Sequence, residues 1–333
     1  MSRMVALVIA LCSTSTTVFA ADAPFDSTAA LARARELRPF VSSGTPGPLW
    51  ASFDPQMRAA MGDSLRFAGV VASIHAQIGA IIEVVDERLT RTPGWTYRAR
   101  CKFERAPAPA ILIISFNHDG LVSQLLVQPD KPAYASTKLD YVTQTTLLLP
   151  FEGEWFVFWG GRTVDENYHA ASKSQRFAYD LVIMKGGASH SGSGSALSDY
   201  YCYGAKVLAA AAGTIVWSCD SLPDQVPGQM DSRNPVGNGV VIDHGNGEFS
   251  ILAHMQPTSL RVKTGDKVKA SDILGLCGNS GNTSEPHIHY HLQDGADMSN
   301  AEGLPAPFTR VVINGKPTAK AELLKGQTVS RER

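Results

Sequence analysis

Ser284–Gln293 reads SEPHIHYHLQ. His287, His289 and His291 take every second position, and Ile288, Tyr290 and Leu292 alternate with them. A period of two belongs to a β-strand. It sends the three imidazoles to one face and the three apolar side chains to the other. Pro286 stands at the strand entry, where a missing N–H is tolerated. With a rise of roughly 3.3 Å per residue, His287 and His291 lie about 13 Å apart at the backbone. A zinc–imidazole bond is about 2.0–2.1 Å long. One ion therefore engages one or two neighbouring histidines of this strand, and its other ligands come from elsewhere in the chain.

The surroundings of this strand are also β in character. From Tyr168 onward glycine and β-branched residues dominate and helical periodicity vanishes. AKVLAAAAGTIVWS, GNGVVIDHGNGEFSILAHM and DKVKASDILGLCGNSGNT read as short strands joined by glycine turns, the pattern of an all-β domain. SHSGSGSALSD between them is a loop by composition. TLLLPFEGEWFVFWGGRT, upstream, reads as a strand pair or an apolar lead-in.

The N-terminal half differs. STAALARARELRPFV reads as a helix with Ser27 as its cap. Leu65, Val70, Ile74, Ile78, Ile81 and Val85 keep helical spacing, so a second helix is expected over about Gly62–Leu89. His75 beside that stripe is structural. The period then changes to two: Tyr97, Ala99, Cys101 and Phe103 alternate with Arg98, Arg100 and Lys102. PAILIISF, the turn NHDG and LVSQLLVQP form a hairpin pattern, with His118 exposed in the turn. Helices followed by antiparallel strands give an α+β domain. The arrangement, with Trp95, Tyr97, Phe116, Asp119 and Gly120, loosely resembles nuclear-transport-factor-like domains. It contains no catalytic constellation. The 333 residues divide as a leader over 1–20, an α+β accessory domain over 26–135 and an all-β domain of antiparallel sheets over 136–320.

Residues 1–20 have one arginine, an apolar run from Met4 to Leu11 and a small-residue end at Ala20. This is a secretory signal peptide cut after Ala20, too short to span a membrane. Export to the periplasm or the medium is expected, and no later segment reaches membrane-spanning length. A net charge of -1 offers no footprint for nucleic acid or an anionic membrane. Cys12 falls in the leader. Cys101, Cys202, Cys219 and Cys277 remain, and an oxidising compartment permits disulfides with three possible connectivities. Cys202–Cys219, flanking one short stretch, is the expected pair. No CxxC pair supports a thiolate zinc site.

The sequence has no H-E-x-x-H, no G-x-S-x-G elbow, no Walker loop and no dinucleotide fingerprint. The candidates that remain are His169, Asp180, His244, His254, His287, His289 and His291. Here the chain resembles the lysostaphin-type zinc endopeptidases that cut peptidoglycan cross-links. RFAYDLV, the GAKVLAAAAGTIV strand pair, the hairpin ending in AHM, GNSGN followed by PHIHYH, and NAEGLPAPF carry the likeness over roughly residues 160–310.

The resemblance implies a zinc site built from a histidine, Asp180 and His289, the second histidine of the H-x-H pair. Many members place the first ligand four residues before the aspartate, as H-x-G-x-D. Here Arg176 and Ala178 occupy that pattern, and a guanidinium does not ligate. ENYHAASKSQRFAYD resembles an N-x-H…RFAYD variant in which His169 is the third ligand; His190, in the Gly/Ser loop, is the alternative. Three ligands of mixed nitrogen and oxygen chemistry leave one position open, the catalytic zinc arrangement.

The family's two further histidines carry over to His254 and His287, which would shuttle protons or stabilise the tetrahedral intermediate. His244 is expected to make a turn hydrogen bond. His291, where the family usually has Glu or Gln, is read as a supporting or surface residue. The implied function is a secreted zinc metallo-endopeptidase acting on peptidoglycan stems or cross-links. The alternatives are a degenerate module that binds the wall or regulates another wall hydrolase, favoured by Arg176, and metal binding without hydrolysis.

Overall fold

The computed structural model describes residues 7–10, 25–43, 45–92 and 94–332. The expected leader, with its cut after Ala20 and with Cys12, lies outside them except for Leu7–Ala10. Two compact units make up the chain: residues to Asp130 with Gly186–Ala188, and Lys131–Lys185 with Ser189–Arg333.

The first unit packs helices against an antiparallel sheet. Helix Ser27–Leu37 is capped by Asp26, not Ser27: the Asp26 carboxylate accepts the Ala29 N–H at 2.9 Å. Beyond it Arg38–Val41, which contains Pro39, tightens into a 3₁₀ turn. The helix expected over Gly62–Leu89 is in fact a helix, Ser64–Ile78, and a strand, Ile81–Thr92. Gly79, at φ 75°, ends the helix by taking a conformation that other residues rarely adopt. Ile81, Ile82, Val84 and Val85 then favour extended backbone, and only two of them matched the helical stripe.

Gly94–Phe103 pairs with that strand and buries Tyr97, Ala99, Cys101 and Phe103 on alternate positions. The hairpin Ala110–Phe116 and Val122–Pro129 turns at NHDG, where His118 is exposed. Leu7–Ala10 pairs antiparallel with Val122–Pro129 at the sheet edge. Ala30, Ala34, Leu37, Phe67 and Val71 from the helices close the core over the sheet.

The second unit is built on antiparallel strands. Ile288–Gln293, the histidine strand, lies between Phe249–Met255 and Tyr179–Val182. Outward from Phe249–Met255 come Asn238–Asp243 and Gly213–Cys219. On the other side come Trp155–Trp159, Thr328–Arg331 and Phe308–Ile313. Ile288, Tyr290 and Leu292 are at most 1% exposed and join Tyr179, Leu181, Leu252 and Phe308 in one apolar core. Burying each such side chain is worth about 1.5–3 kcal/mol, enough to fix the register that sends the histidines to the opposite face.

The segment from Tyr134 to Thr145 has little regular structure and is held by two carboxylates of this unit. Glu302 accepts from the Ser136 hydroxyl at 2.6 Å and from Thr137 N–H at 2.7 Å. Glu248, fully buried, accepts from Gln144 N–H at 2.7 Å, Thr145 N–H at 2.8 Å and the Tyr141 hydroxyl at 3.0 Å. Burial opposes both charges, but the donors outweigh it and hold both carboxyls below their usual range. Their folded values lie below their unfolded ones, so their stabilisation is complete above the usual carboxylate range and is lost as pH falls from there through the lowered folded values. Amide protection of Thr137, Gln144 and Thr145, corrected for intrinsic exchange, is expected to drop below about pH 4. Protection that stays undiminished in acid strong enough to protonate both carboxyls would contradict this clamp.

Candidate metal centre and active site

Strand pairing sets Asp180 directly opposite His289. The His289 Nδ1 lies 2.8 Å from Asp180 Oδ1. His169 arrives from the 3₁₀ turn Tyr168–Ala171 and places its Nε2 3.7 Å from Asp180 Oδ2. One ligand atom from each of His169, Asp180 and His289 lies within 4.8 Å of the others, and all three residues are buried. Donors sharing a tetrahedral ion at about 2.0–2.1 Å stand about 3.3 Å apart, so this set has the spacing and chemistry of a zinc site.

Hydrogen bonds fix which nitrogen of each ring is free. The Asn167 amide donates to the carbonyls of Gly161 at 3.2 Å and Ala178 at 2.8 Å. Its oxygen therefore faces His169 and accepts from Nδ1–H at 2.9 Å, which leaves the His169 Nε2 lone pair toward Asp180. A second chain orients His289. The Gln293 amide donates to Gly295 O at 2.6 Å, so its oxygen accepts from His291 Nε2–H at 3.1 Å. His291 Nδ1 then accepts from His289 Nε2–H at 2.9 Å, and the His289 Nδ1 lone pair faces Asp180. His291 is only 3% exposed and is not a surface residue. Its alternation in sequence was legible, but its bond to Gln293, two residues on, was not.

This relay has a measurable consequence. His291→Leu or Gln293→Leu should weaken zinc binding about 10–100-fold in chelator competition. His291→Gln, which keeps an acceptor for His289, should recover most of the loss. Unchanged affinity in both leucine variants would contradict the relay.

His254 and His287 flank the same group. His254, next to last in the strand Phe249–Met255, takes φ 62°, a left-handed conformation uncommon for residues other than glycine. Gly278 N–H donates to its carbonyl and Val236 O accepts its N–H, both at 3.0 Å. Its Nδ1–H donates to Ser280 O at 2.9 Å, which leaves Nε2 free. His287, just before the strand, donates Nδ1–H to Glu285 O at 2.8 Å and sets Nε2 3.4 Å from Asp180 Oδ1. The His254 and His287 ring centroids are 4.8 Å apart.

Burial divides these groups electrically. It pushes His169 down to about 3 and His254 well below the usual histidine range. Burial also works against charge on His287, but Asp180 outweighs it and holds His287 at about 9. The Asp180 carboxyl is itself buried, yet the surrounding histidines keep it well below the usual range. A second trio, His254, His287 and His289, also lies within 4.8 Å. It lacks a carboxylate, whereas the first trio combines two imidazoles with one.

The other candidates lie apart from this group. Arg176 is buried and donates to Tyr134 O at 3.1 Å and Arg162 O at 2.7 Å, so it braces backbone. His190 is buried against Tyr200, with ring centroids 5.2 Å apart, and joins neither trio. His244 bonds Ala212 O at 2.7 Å and the Ser250 hydroxyl at 2.6 Å. Asn167 and Gln293 were not among the sequence candidates as orienting groups. Of these, only Asn167 had a signal, its place in N-x-H.

Comparison with known proteins follows the same half of the chain. Residues 198–301 match Peptidase family M23. The C-terminal half carries a domain of that family. The matched stretch contains His254, His287 and His289 and begins after His169 and Asp180. Over 64 residues the chain is 41% identical to peptidoglycan DD-endopeptidase ShyA of Vibrio cholerae, covering 19% of this chain and 14% of that protein. Over 144 residues it is 25% identical to the cell division protein DipM of Caulobacter vibrioides, covering 40% of this chain and 22% of that protein. The chain thus spans under a quarter of the length of either relative. Among solved structures, the catalytic domain of the antimicrobial peptidase lysostaphin from Staphylococcus simulans aligns with 46% of this chain and 88% of its own. The TM-score is 0.28 at 18% identity. No helix among the described residues is long and apolar enough to cross a membrane.

Proposed function

We propose that the second unit is a zinc metallo-endopeptidase that hydrolyses peptide bonds of peptidoglycan stems or cross-links. In this reading the chain is exported to the periplasm or cell exterior, and its N-terminal unit is an accessory domain. The observation that carries the proposal is the convergence of two oriented lone pairs, His169 Nε2 and His289 Nδ1, on the Asp180 carboxylate. His169, Asp180 and His289 would hold the ion. When bound, zinc polarises a carbonyl and acidifies a water.

The protein's own groups supply the rest. His254 offers a neutral Nε2 lone pair to take a proton from attacking water. His287 presents its Nε2–H to the oxygen on which charge develops, or passes a proton to the departing amine. Both rings are anchored through Nδ1–H to backbone carbonyls, so they meet the substrate without reorganising. Neither is needed to hold the ion.

Purified peptidoglycan incubated with the protein should release fragments bearing new amino termini, read by mass spectrometry. A chelator should stop the release and zinc restore it. Zinc-loaded protein that leaves peptidoglycan intact would instead favour the module that binds the wall or regulates another hydrolase, the reading that Arg176 in place of a ligand suggested.

A further inference from the structure

The cysteines are not used by the proposed chemistry, and the structure does not support the expected Cys202–Cys219 pair. Among the described residues Cys101, Cys202, Cys219 and Cys277 are free thiols. Cys219 is half-buried and its sulfur lies 3.8 Å from Asn238 Oδ1. Cys101 is buried in the core of the first unit. Cys202 and Cys277 are 0% and 1% exposed and belong to the same apolar core. Backbone bonds join their segments: Gly204 N–H donates to Cys277 O, and Cys277 N–H to Ala205 O, both at 2.8 Å. These bonds seat Cys277 against the turn that Cys202 opens, and burial, then the neighbouring Cys202 thiol, push the Cys277 thiol well above its usual range. The two cysteines are 75 positions apart in sequence.

We propose that Cys202 and Cys277 form a disulfide when the chain folds in an oxidising compartment. A deprotonated thiol of one residue attacks the disulfide of an oxidant, such as oxidised glutathione or an oxidoreductase, and expels one of its thiolates. The thiolate of the other residue attacks this mixed disulfide, closes the Cys202–Cys277 bond and expels the second. Two protons leave the cysteines and two electrons reduce the oxidant to two thiols. Burial means that the exchange occurs during folding, before the core closes.

The bond would brace both catalytic histidines. The Cys202 sulfur lies 3.0 Å from Pro286 O, one residue before His287. Cys277 precedes Gly278 and Ser280, whose N–H and carbonyl hold the backbone and ring of His254.

The inference is independent of the peptidase reading, because thiol mapping needs no substrate. The full chain is refolded with and without a glutathione redox buffer, denatured, alkylated and digested. Oxidised material should yield a Cys202–Cys277 linked peptide, with Cys101 and Cys219 alkylated. Closing a loop of roughly 75 residues should raise Tm by about 5–15 °C over reduced protein. Cys202→Ala/Cys277→Ala should have the same Tm in both buffers. Cys202 and Cys277 both alkylated after oxidative refolding, or a linked peptide of any other pair, would overturn the proposal.

Discussion

His289→Ala is expected to leave the protein without bound zinc and to lower peptidoglycan hydrolysis by on the order of 10³-fold or more. The variant removes the Nδ1 donor 2.8 Å from Asp180 and leaves two ligands of the three. It also deprives His291 of the N–H it accepts, so the relay to Gln293 loses its purpose. The apolar face of the strand is untouched, because Ile288, Tyr290 and Leu292 still fill the core. Folding should therefore survive, and loss of metal without loss of the cooperative melt separates a ligand from a packing residue. Zinc content by mass spectrometry and a melting curve on the same sample make the check. A variant that keeps its zinc would show that His289 is not a ligand.

His287→Ala should behave in the opposite way toward the metal. Zinc stays bound at wild-type stoichiometry, while hydrolysis falls by about 10²–10⁴-fold, the usual worth of a positioned proton donor. The reason is geometric. His287 reaches Asp180 from outside the His169–Asp180–His289 group, and its Nδ1–H is committed to Glu285 O. Removing it frees a carboxylate oxygen that a cation can use, so affinity should not fall. His254→Ala is expected to show the same split, since its ring is tied to Ser280 O and not to Asp180. Equal loss of zinc in either variant would move that histidine into the ligand set.

The site was legible in sequence where the chemistry is local to one strand. H-x-H alternation alone put His287, His289 and His291 on one face, and the strand was found with all three buried or nearly so. What alternation does not give is each ring's tautomer. That depends on Asn167, Ser280, Glu285 and Gln293, whose amides and carbonyls become neighbours only after folding. His169 was reached through family likeness, because an eleven-residue separation from Asp180 has no periodic signature. The helix boundary at Gly79 was missed because Ile81 and Val85 of the following strand fall in phase with the preceding helix. Short separation points Cys202 to Cys219, whereas backbone bonds from Gly204 and to Ala205 bring Cys277 to the turn that holds Cys202.

The most direct test is zinc anomalous diffraction from crystals of the zinc-loaded full chain. The expected result is one ion bonded at about 2.0–2.2 Å to His169 Nε2, an Asp180 oxygen and His289 Nδ1. An ion held instead by His254 and His287, or no ion near Asp180, would contradict the assignment.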